Sequence, residues 1–367
     1  MTMKILELCL SPDYGGLELH MRDFSRWLSG KPDVELFLCL QENSRIQKDL
    51  LDLNAPSLNF SHKAGKFPWQ KASQLKYFIK QNKIEVVHVH WKFDLPLVAL
   101  VKQLSRRKFR FVHTRQMNMP GKKRDPYHRF IYGKMDCFIA ITRYLEKQAL
   151  ENLPLSADKI RQVYYGVEIP GNVTSERTES LKQELDIKGD FTVGLLGRLS
   201  EYKGQHLLIE AIGRLKHENI FVNAWIVGAT FEPDYKAYLQ NLVERKQLQK
   251  QIYFMDFYPN PIELMSCFDA VVLTTKNETF GLVLIEAMHA GVVVIGSDEG
   301  GVPEIIDHEK TGLLFKSWDS EALASAIRKL YKDSEFRQTL AAAGREKALR
   351  QFNLEQQFQK FYKAIKG

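Results

Sequence analysis

Short apolar runs alternate with longer amphipathic ones along this chain, and the alternation breaks once, over the polar stretch 170–190, before it restarts. Before the break, strand-length runs lie at 4–9, 34–40, 86–90, 110–114, 137–141 and 160–163, with helical patterns at 17–28, 69–81 and 95–104. After it, runs at 192–196, 223–227, 252–254, 270–274 and 292–295 alternate with helical patterns at 204–216, 234–245, 282–290 and 321–332. Strand–helix alternation predicts a mostly parallel sheet with helices on both faces. Two rounds of it predict an α/β protein of two Rossmann-like domains facing a central cleft, with ligands beyond the carboxyl ends of the strands. The expected boundaries are 1–169, a linker with a short helix at 170–190, and 191–350. The stretch 340–366 reads as helical, kinked near Phe352–Asn353, and 351–367 is expected to return to the first domain.

Composition narrows the class. A chain of 367 residues with 44% hydrophobic content is long enough for two buried cores. Cys9, Cys39, Cys137 and Cys267 are far apart and show no CxxC spacing, so reduced thiols are expected rather than disulfides or zinc. The apolar run after Lys4 is too short for a signal segment and reads as a first strand. No stretch approaches the ~18 uncharged apolar residues of a membrane span. A cytoplasmic location is the expectation. The net charge of +8 is uneven. Residues 1–170 carry 28 Lys/Arg against 17 Asp/Glu, and residues 102–134 alone hold 11 cations against Asp125. Such asymmetry points to an anionic partner of the first half. No RNP, zinc-finger or basic-zipper motif supports nucleic acid. Clustered cations near Trp91, Phe93, Phe109, Phe111 and Tyr127 instead fit an anionic membrane on the cytoplasmic face of the inner membrane, or an anionic acceptor, with Lys122, Lys123 and Arg124 on the acceptor side.

Three constellations carry chemistry. The first is Glu278-Thr-Phe-Gly-Leu-Val-Leu-Ile-Glu286, which reads as strand, loop and helix start. Gly281 lets the backbone approach a ligand closely. The N–H groups of Gly281, Leu282 and Val283 then face out at a positive helix end suited to a diphosphate. Glu286, one turn in, is placed to accept from two ribose hydroxyls, and Glu278 to reach a sugar beyond the phosphates. The second is Gly197-Arg-Leu-Ser-Glu-Tyr-Lys203-Gly204, directly after a strand, where Arg198 and Lys203 suit a diphosphate leaving group. The third is Gly15-Gly16-Leu17-Glu18 after the first strand, a phosphate-approach loop that is not the dinucleotide GxGxxG.

With these motifs the chain resembles glycosyltransferase family 4, the retaining GT-B family that includes bacterial lipopolysaccharide and phosphoinositol glycosyltransferases. The resemblance also runs through HTRQ at 113–116, ITRYL at 141–145, VYYGVE at 163–168 and GGVPEII at 300–306. It implies that Arg198 and Lys203 bind the donor diphosphate, that Glu286 binds the ribose and that Glu278 contacts the donor sugar. It further implies that the backbone at Phe280, Gly281 and Leu282 holds phosphates and sugar, that Gly16 closes over the donor phosphate, and that His113 lies near the transferred sugar. Thr274 and Thr275 stand where family members often have Pro-Ser, Asp256 where a Gly is usual in the base-binding loop, and Val293 where a Pro is common.

No Asp is followed by a second Asp two residues on, so a DxD metal site is absent and no metal or other cofactor is expected. The expected reaction moves a hexose-type sugar from a UDP- or GDP-sugar to a hydroxyl of a lipid-linked or glycan acceptor, in lipopolysaccharide or other surface-glycan synthesis. Retention, implied by the resemblance, points to front-face transfer, because no carboxylate pair of the retaining-hydrolase kind is legible. Asp13, in the first loop, is a candidate to orient the acceptor. Two other readings are a sugar-nucleotide epimerase of the same fold and a non-catalytic module that holds a nucleotide-sugar or polyanion.

Overall fold

Parallel strands are buried on both faces and need near-continuous apolar side chains, which the runs named above supply. The computed structural model describes residues 2–61, 68–168, 171, 173–230 and 232–367. Ile169, Pro170 and Asn172, around the start of the expected linker, lie outside the described residues. The chain divides into two units, Met1–Tyr165 with Glu355–Gly367, and Gly166–Leu354.

Among the described residues the first unit has seven strands: β1 (Met3–Cys9), β2 (Val34–Gln41), β3 (Ser57–Phe60), β4 (Val86–Val89), β5 (Arg110–Arg115), β6 (Cys137–Ala140) and β7 (Ile160–Gln162). Their order is β3-β2-β1-β4-β5-β6-β7, and every pairing is parallel. Ile5, Leu6, Leu8, Phe24, Phe111 and Phe138 form part of its buried core. The last helix, Leu354–Lys366, supplies Phe358, Phe361, Tyr362 and Ile365 at the spacing of one helical face. Phe358 and Phe361 bring their rings 5.2 and 5.9 Å from Phe24, and the Tyr362 hydroxyl donates to Asp33 at 2.8 Å. Burying each such ring stabilises the helix on this unit by about 1.5–3 kcal/mol. The preceding helix, Ser334–Gln351, ends at Phe352 and Asn353, where the sequence predicts the kink.

The second unit has β8 (Thr192–Leu196), β9 (Asn223–Val227), β10 (Ile252–Met255), β11 (Ala270–Leu273), β12 (Val293–Ser297) and β13 (Leu313–Phe315), in the order β10-β9-β8-β11-β12-β13, again all parallel. Val193, Leu195, Leu208, Ile212, Ile226, Val272 and Ile295 belong to its core. The helix Ser175–Glu184, expected within the linker, packs on this unit. Leu181 is buried, Arg177 pairs with Glu263, and the Thr178 and Ser266 hydroxyls meet at 2.9 Å.

Each sheet therefore reverses direction once, between β1 and β4 in the first unit and between β8 and β11 in the second. Loops that leave such neighbours diverge to opposite sides and open a crevice at the carboxyl ends, where α/β sheets take their ligands.

Candidate active site

In the second unit the two loops at the reversal, 197–204 after β8 and 274–281 after β11, carry the sequence-predicted residues and are laced to each other. The Leu199 N–H donates to the Ala229 carbonyl at 3.0 Å, and Gln205 Nε2 donates to the Arg198 carbonyl at 2.9 Å, which fixes the backbone that carries the guanidinium. Lys203 ends a short helical turn, Glu201–Lys203, whose last carbonyl accepts from the Thr274 hydroxyl at 2.7 Å. Thr274, a departure from the family pattern, thus ties the first loop to the second. Lys203 Nζ lies 3.2 Å from Glu278 Oε2, and the other Glu278 oxygen accepts from the Thr279 N–H at 3.1 Å.

The helix Leu282–His289 begins at Gly281, whose φ of 98° lies in the left-handed region that glycine adopts without strain. The first N–H groups of a helix have no partner within it and carry about half a positive charge. Phe280 is buried, with its ring edge-on to Phe352 at 5.9 Å. From the neighbouring loop after β12, Gly301 N–H donates to the Glu278 carbonyl at 2.8 Å. Gly300, at φ 67°, passes so close that a Cβ would stand 2.0 Å from that carbonyl oxygen. Glu286 is half-buried one turn into the helix, and burial pushes its carboxyl up to about 7. Two cations, a helix mouth and a paired carboxylate therefore occupy the carboxyl ends of β8 and β11, an arrangement suited to a diphosphate and what it carries.

The first unit places its candidates around the reversal between β1 and β4. Gly16 opens the helix Gly16–Ser29, and Glu18 accepts from the Gly15 N–H at 2.9 Å. Asp13 is exposed in the preceding loop, its N–H donating to Ser11 Oγ at 3.2 Å. His113 lies within β5 and is buried. Its Nδ1 donates to the Val89 carbonyl at 2.8 Å, which leaves Nε2 buried with no partner among the described residues. Burial, reinforced by the nearby Arg115, holds this imidazole well below the ordinary histidine range, so it is neutral.

The sequence did not announce a second group beneath this crevice. Glu7 and His88 are register partners on β1 and β4, and His90 follows on the same face. All three are buried; His88 Nδ1 lies 3.0 Å and His90 Nε2 2.5 Å from the Glu7 carboxylate, and His88 Nε2 lies 2.7 Å from the Thr114 hydroxyl. Among the described residues this is the one group of three imidazole and carboxylate donors close enough to hold a metal ion. The contacts are those of hydrogen bonds between the side chains themselves. The H-x-H at 88–90 was the visible signal; its partner lies 81 residues away and needed the strand register. Asp94 is a second residue of this kind. Its Oδ2 accepts from the Leu10 N–H at 2.8 Å, pinning the loop after β1, and burial pushes its carboxyl up to about 8.

The basic segment is partly consumed by its own unit. Lys102 pairs with Asp136, while Arg107, Arg110, Arg115, Arg124 and Arg129 donate to backbone carbonyls. Of the aromatic residues expected nearby at a membrane interface, Trp91, Phe109 and Phe111 are buried, because they belong to the core around β4 and β5; Phe93 is exposed. Lys122 and Arg124 are exposed and Lys123 is half-buried, all on the loop after β5. Among the described residues no helix is long and apolar enough to cross a membrane. All four cysteines are free and buried.

Two family models match the chain in succession: Glycosyltransferase Family 4 over residues 14–169, and Glycosyl transferases group 1 over residues 176–347. N-acetyl-alpha-D-glucosaminyl L-malate synthase of Bacillus anthracis is 27% identical over 293 residues, covering 77% of this chain and 75% of that protein. A lipopolysaccharide core biosynthesis glycosyltransferase of Rhizobium meliloti is 27% identical over 256 residues, covering 68% and 69%. Among solved structures, the Anabaena protein HepE in complex with UDP has the same fold, with a TM-score of 0.88 and 23% identity over 99% of this chain and 100% of that one.

Proposed function

From the premise that the chain belongs to glycosyltransferase family 4 and has the two-domain GT-B fold, we propose that it moves a hexose-type sugar from a UDP- or GDP-sugar to an acceptor hydroxyl with retention at the anomeric carbon. The observation that supports this reading is the laced pair of loops at the β8/β11 reversal, where the loop that carries Arg198 and Lys203 is tied to the loop that leads into the helix Leu282–His289. In this reading Arg198, Lys203 and the backbone N–H groups at 280–282 neutralise the diphosphate as its bond to the sugar breaks. Glu286 accepts from the ribose hydroxyls, and Glu278, anchored through Lys203, meets the sugar.

The bond between the anomeric carbon and the phosphate oxygen breaks, and the acceptor oxygen bonds to that carbon on the same face. The departing phosphate oxygen takes the acceptor proton, so no protein base is required. Neutral His113 offers an unpaired ring nitrogen on the first unit for a hydroxyl of the reacting sugars. The charge that develops on the phosphate is met by fixed donors, which act without reorganising, and the reading needs no metal.

A lipid-linked or glycan acceptor in lipopolysaccharide or other surface-glycan synthesis is the pathway we favour. The named activity of the Rhizobium relative and the exposed cations Lys122 and Arg124 support it. A panel of UDP- and GDP-sugars, read by thermal shift and by sugar release with and without acceptor, tests the donor. NMR of the product tests the stereochemistry. Retention is expected; an inverted product refutes front-face transfer, and an epimer formed from donor alone refutes transfer itself.

A further inference from the structure

The loop after β12 contributes a carboxylate that the preceding account does not use. Glu299 lies two residues beyond the end of β12, and its Oε2 is buried with no hydrogen-bond partner among the described residues. It forms no ion pair among them either. Two residues beyond the end of β11 stands Thr275, 1% exposed, and its Oγ1 is also buried and unpartnered. Buried polar atoms are nearly always paired, and leaving one unpaired costs about 1–3 kcal/mol, more for a charged group. Two such atoms beside one functional loop ask for a ligand.

Their positions are tied to the donor-sugar residue. β11 and β12 are adjacent parallel strands with Leu273 opposite Gly296, so the residues just past their ends are neighbours. Ser297 Oγ donates to the Thr275 carbonyl at 3.3 Å. Gly301 N–H donates to the Glu278 carbonyl at 2.8 Å, and Gly300, between Glu299 and Gly301, presses on that same carbonyl. Thr275 thus lies on the loop that carries Glu278, and Glu299 lies on the next loop, after the strand on the far side of β11 from β8. The charges differ in kind: Glu278 is matched by Lys203 at 3.2 Å, whereas Glu299 has no cation among the described residues.

We propose that Glu299 and Thr275 are donor-specificity residues, which bind hydroxyls of the transferred sugar and select an uncharged hydroxyl-bearing hexose over a hexuronate. The proposal deepens the donor-site reading above and rests on it. An ionised carboxylate only accepts hydrogen bonds, and a sugar hydroxyl donates one to it; the threonine hydroxyl serves as donor or acceptor for a neighbouring hydroxyl. A hexuronate would bring a third carboxylate beside Glu278 and Glu299, with only Lys203 to offset the three, and like charges close together in a partly buried site repel strongly.

The test compares the full chain with Glu299→Gln, Glu299→Ala and Thr275→Val. It uses a panel of UDP- and GDP-linked hexoses and hexuronates, with calorimetric binding of UDP and GDP alone as the control. For Glu299→Ala, kcat/KM on the best hexose donor is expected to fall roughly tenfold to a hundredfold, the usual size for a lost hydrogen bond to a charged group. Glu299→Gln is expected to lose less and to raise the hexuronate-to-hexose ratio of kcat/KM by roughly tenfold, because it removes the repelling charge and keeps the shape. Thr275→Val, of equal shape, is expected to lower hexose kcat/KM by roughly threefold to tenfold. The nucleoside diphosphate should bind all variants within about twofold of the parent, since the lost contacts lie on the sugar. If diphosphate binding holds while both kcat/KM and the ratio stay within about threefold in every variant, the specificity role is wrong and the donor site stands. If neither UDP nor GDP binds the parent, the donor site itself is wrong. Should Glu299→Ala not fold, the Gln and Val variants decide alone.

Discussion

Glu286 gives a prediction in which stability and function move in opposite directions. Burial pushes its carboxyl from 4.5 up to about 7. The folded protein therefore holds this proton more tightly than the unfolded chain. Below pH 4.5 both states are protonated and nothing is lost. Between 4.5 and 7 the folded state binds more protons, so stability falls as pH rises, and above 7 the full cost is present. At about 1.4 kcal/mol per pH unit, discounted for the group's partial exposure, that cost is about 2–3 kcal/mol. Glu286→Gln keeps the shape and cannot ionise. Its urea-unfolding free energy should match the parent's near pH 4.5 and exceed it by about 2–3 kcal/mol at pH 8. The same substitution should lower kcat/KM for the donor by roughly tenfold, through loss of an ionised acceptor for the ribose hydroxyls. Such an exchange of stability for function is common where a site buries an uncompensated group. A stability difference that does not change between pH 4.5 and 8 would refute the buried-carboxylate account, and unchanged kcat/KM would remove Glu286 from the site.

Arg198→Ala should lower turnover by about a hundredfold or more, the usual size for one preorganised donor at a charged leaving group; activity within about threefold of the parent removes Arg198 from that role. Gly300→Ala forces a Cβ to within 2.0 Å of the Glu278 carbonyl oxygen at a φ of 67°. It should lower stability by about 1–3 kcal/mol in thermal unfolding and depress donor turnover, and a fully active, equally stable variant counts against the close contact. Burial raises the Glu7 carboxyl, but His88 and His90 outweigh it and hold it well below the ordinary range. Its contribution is therefore present above about pH 4.5 and fades as pH falls. Glu7→Gln should cost about 3 kcal/mol at pH 7 and much less near pH 2, read by urea unfolding at both. If the cations at 122–124 meet a membrane, co-sedimentation with vesicles containing anionic lipid should exceed that with neutral ones and fall with salt; equal binding to both kinds of vesicle rejects electrostatic attachment.

Much of this architecture was legible because parallel strands advertise themselves. Ala270–Leu273 is apolar throughout and Thr192–Leu196 is apolar after its threonine, and both are flanked by loops rich in glycine or charge, so strand ends and functional loops were found together. Two of the four edge strands were not. β3, Ser57–Phe60, alternates exposed with half-buried or buried residues over four positions, and β13 has only three, too few for any period to register. Pairings across the sheet were also hidden. That Lys203 meets Glu278 follows from β8 lying beside β11, and a separation of 75 in sequence carries no trace of it. Glu7 beneath His88, Asp94 on the Leu10 N–H and Glu299 beside Glu278 are of the same kind. The basic segment misled in the reverse sense: a count of cations does not show that Arg115 is buried and spends its guanidinium on the Met117 and Asn118 carbonyls.

The two reversals invite the question of which one takes the diphosphate, since both sheets open a crevice of the same topological kind. Charge decides it. Beneath the β1/β4 reversal lie Glu7, His88, His90, Asp94 and, one strand on, His113, all buried. That set holds one carboxylate kept ionised by its imidazoles, an Asp carboxyl pushed up to about 8 and so largely protonated at neutral pH, and a histidine kept neutral by burial. It offers hydrogen bonds to hydroxyls and an ionised carboxylate that repels a dianion. The β8/β11 reversal has Arg198 and Lys203 on one loop and the start of the helix Leu282–His289 on the other, and its Glu278 is already paired with Lys203. A pyrophosphate brought to the first set would meet the ionised Glu7 carboxylate, whereas at the second it would meet two cations and a helix start, a setting that favours negative charge. Exchanging Lys203 for Glu should therefore abolish binding of UDP and GDP in calorimetry, while Asp94→Asn, which keeps an acceptor for the Leu10 N–H, should leave it intact; the opposite pattern would place the nucleotide in the first unit.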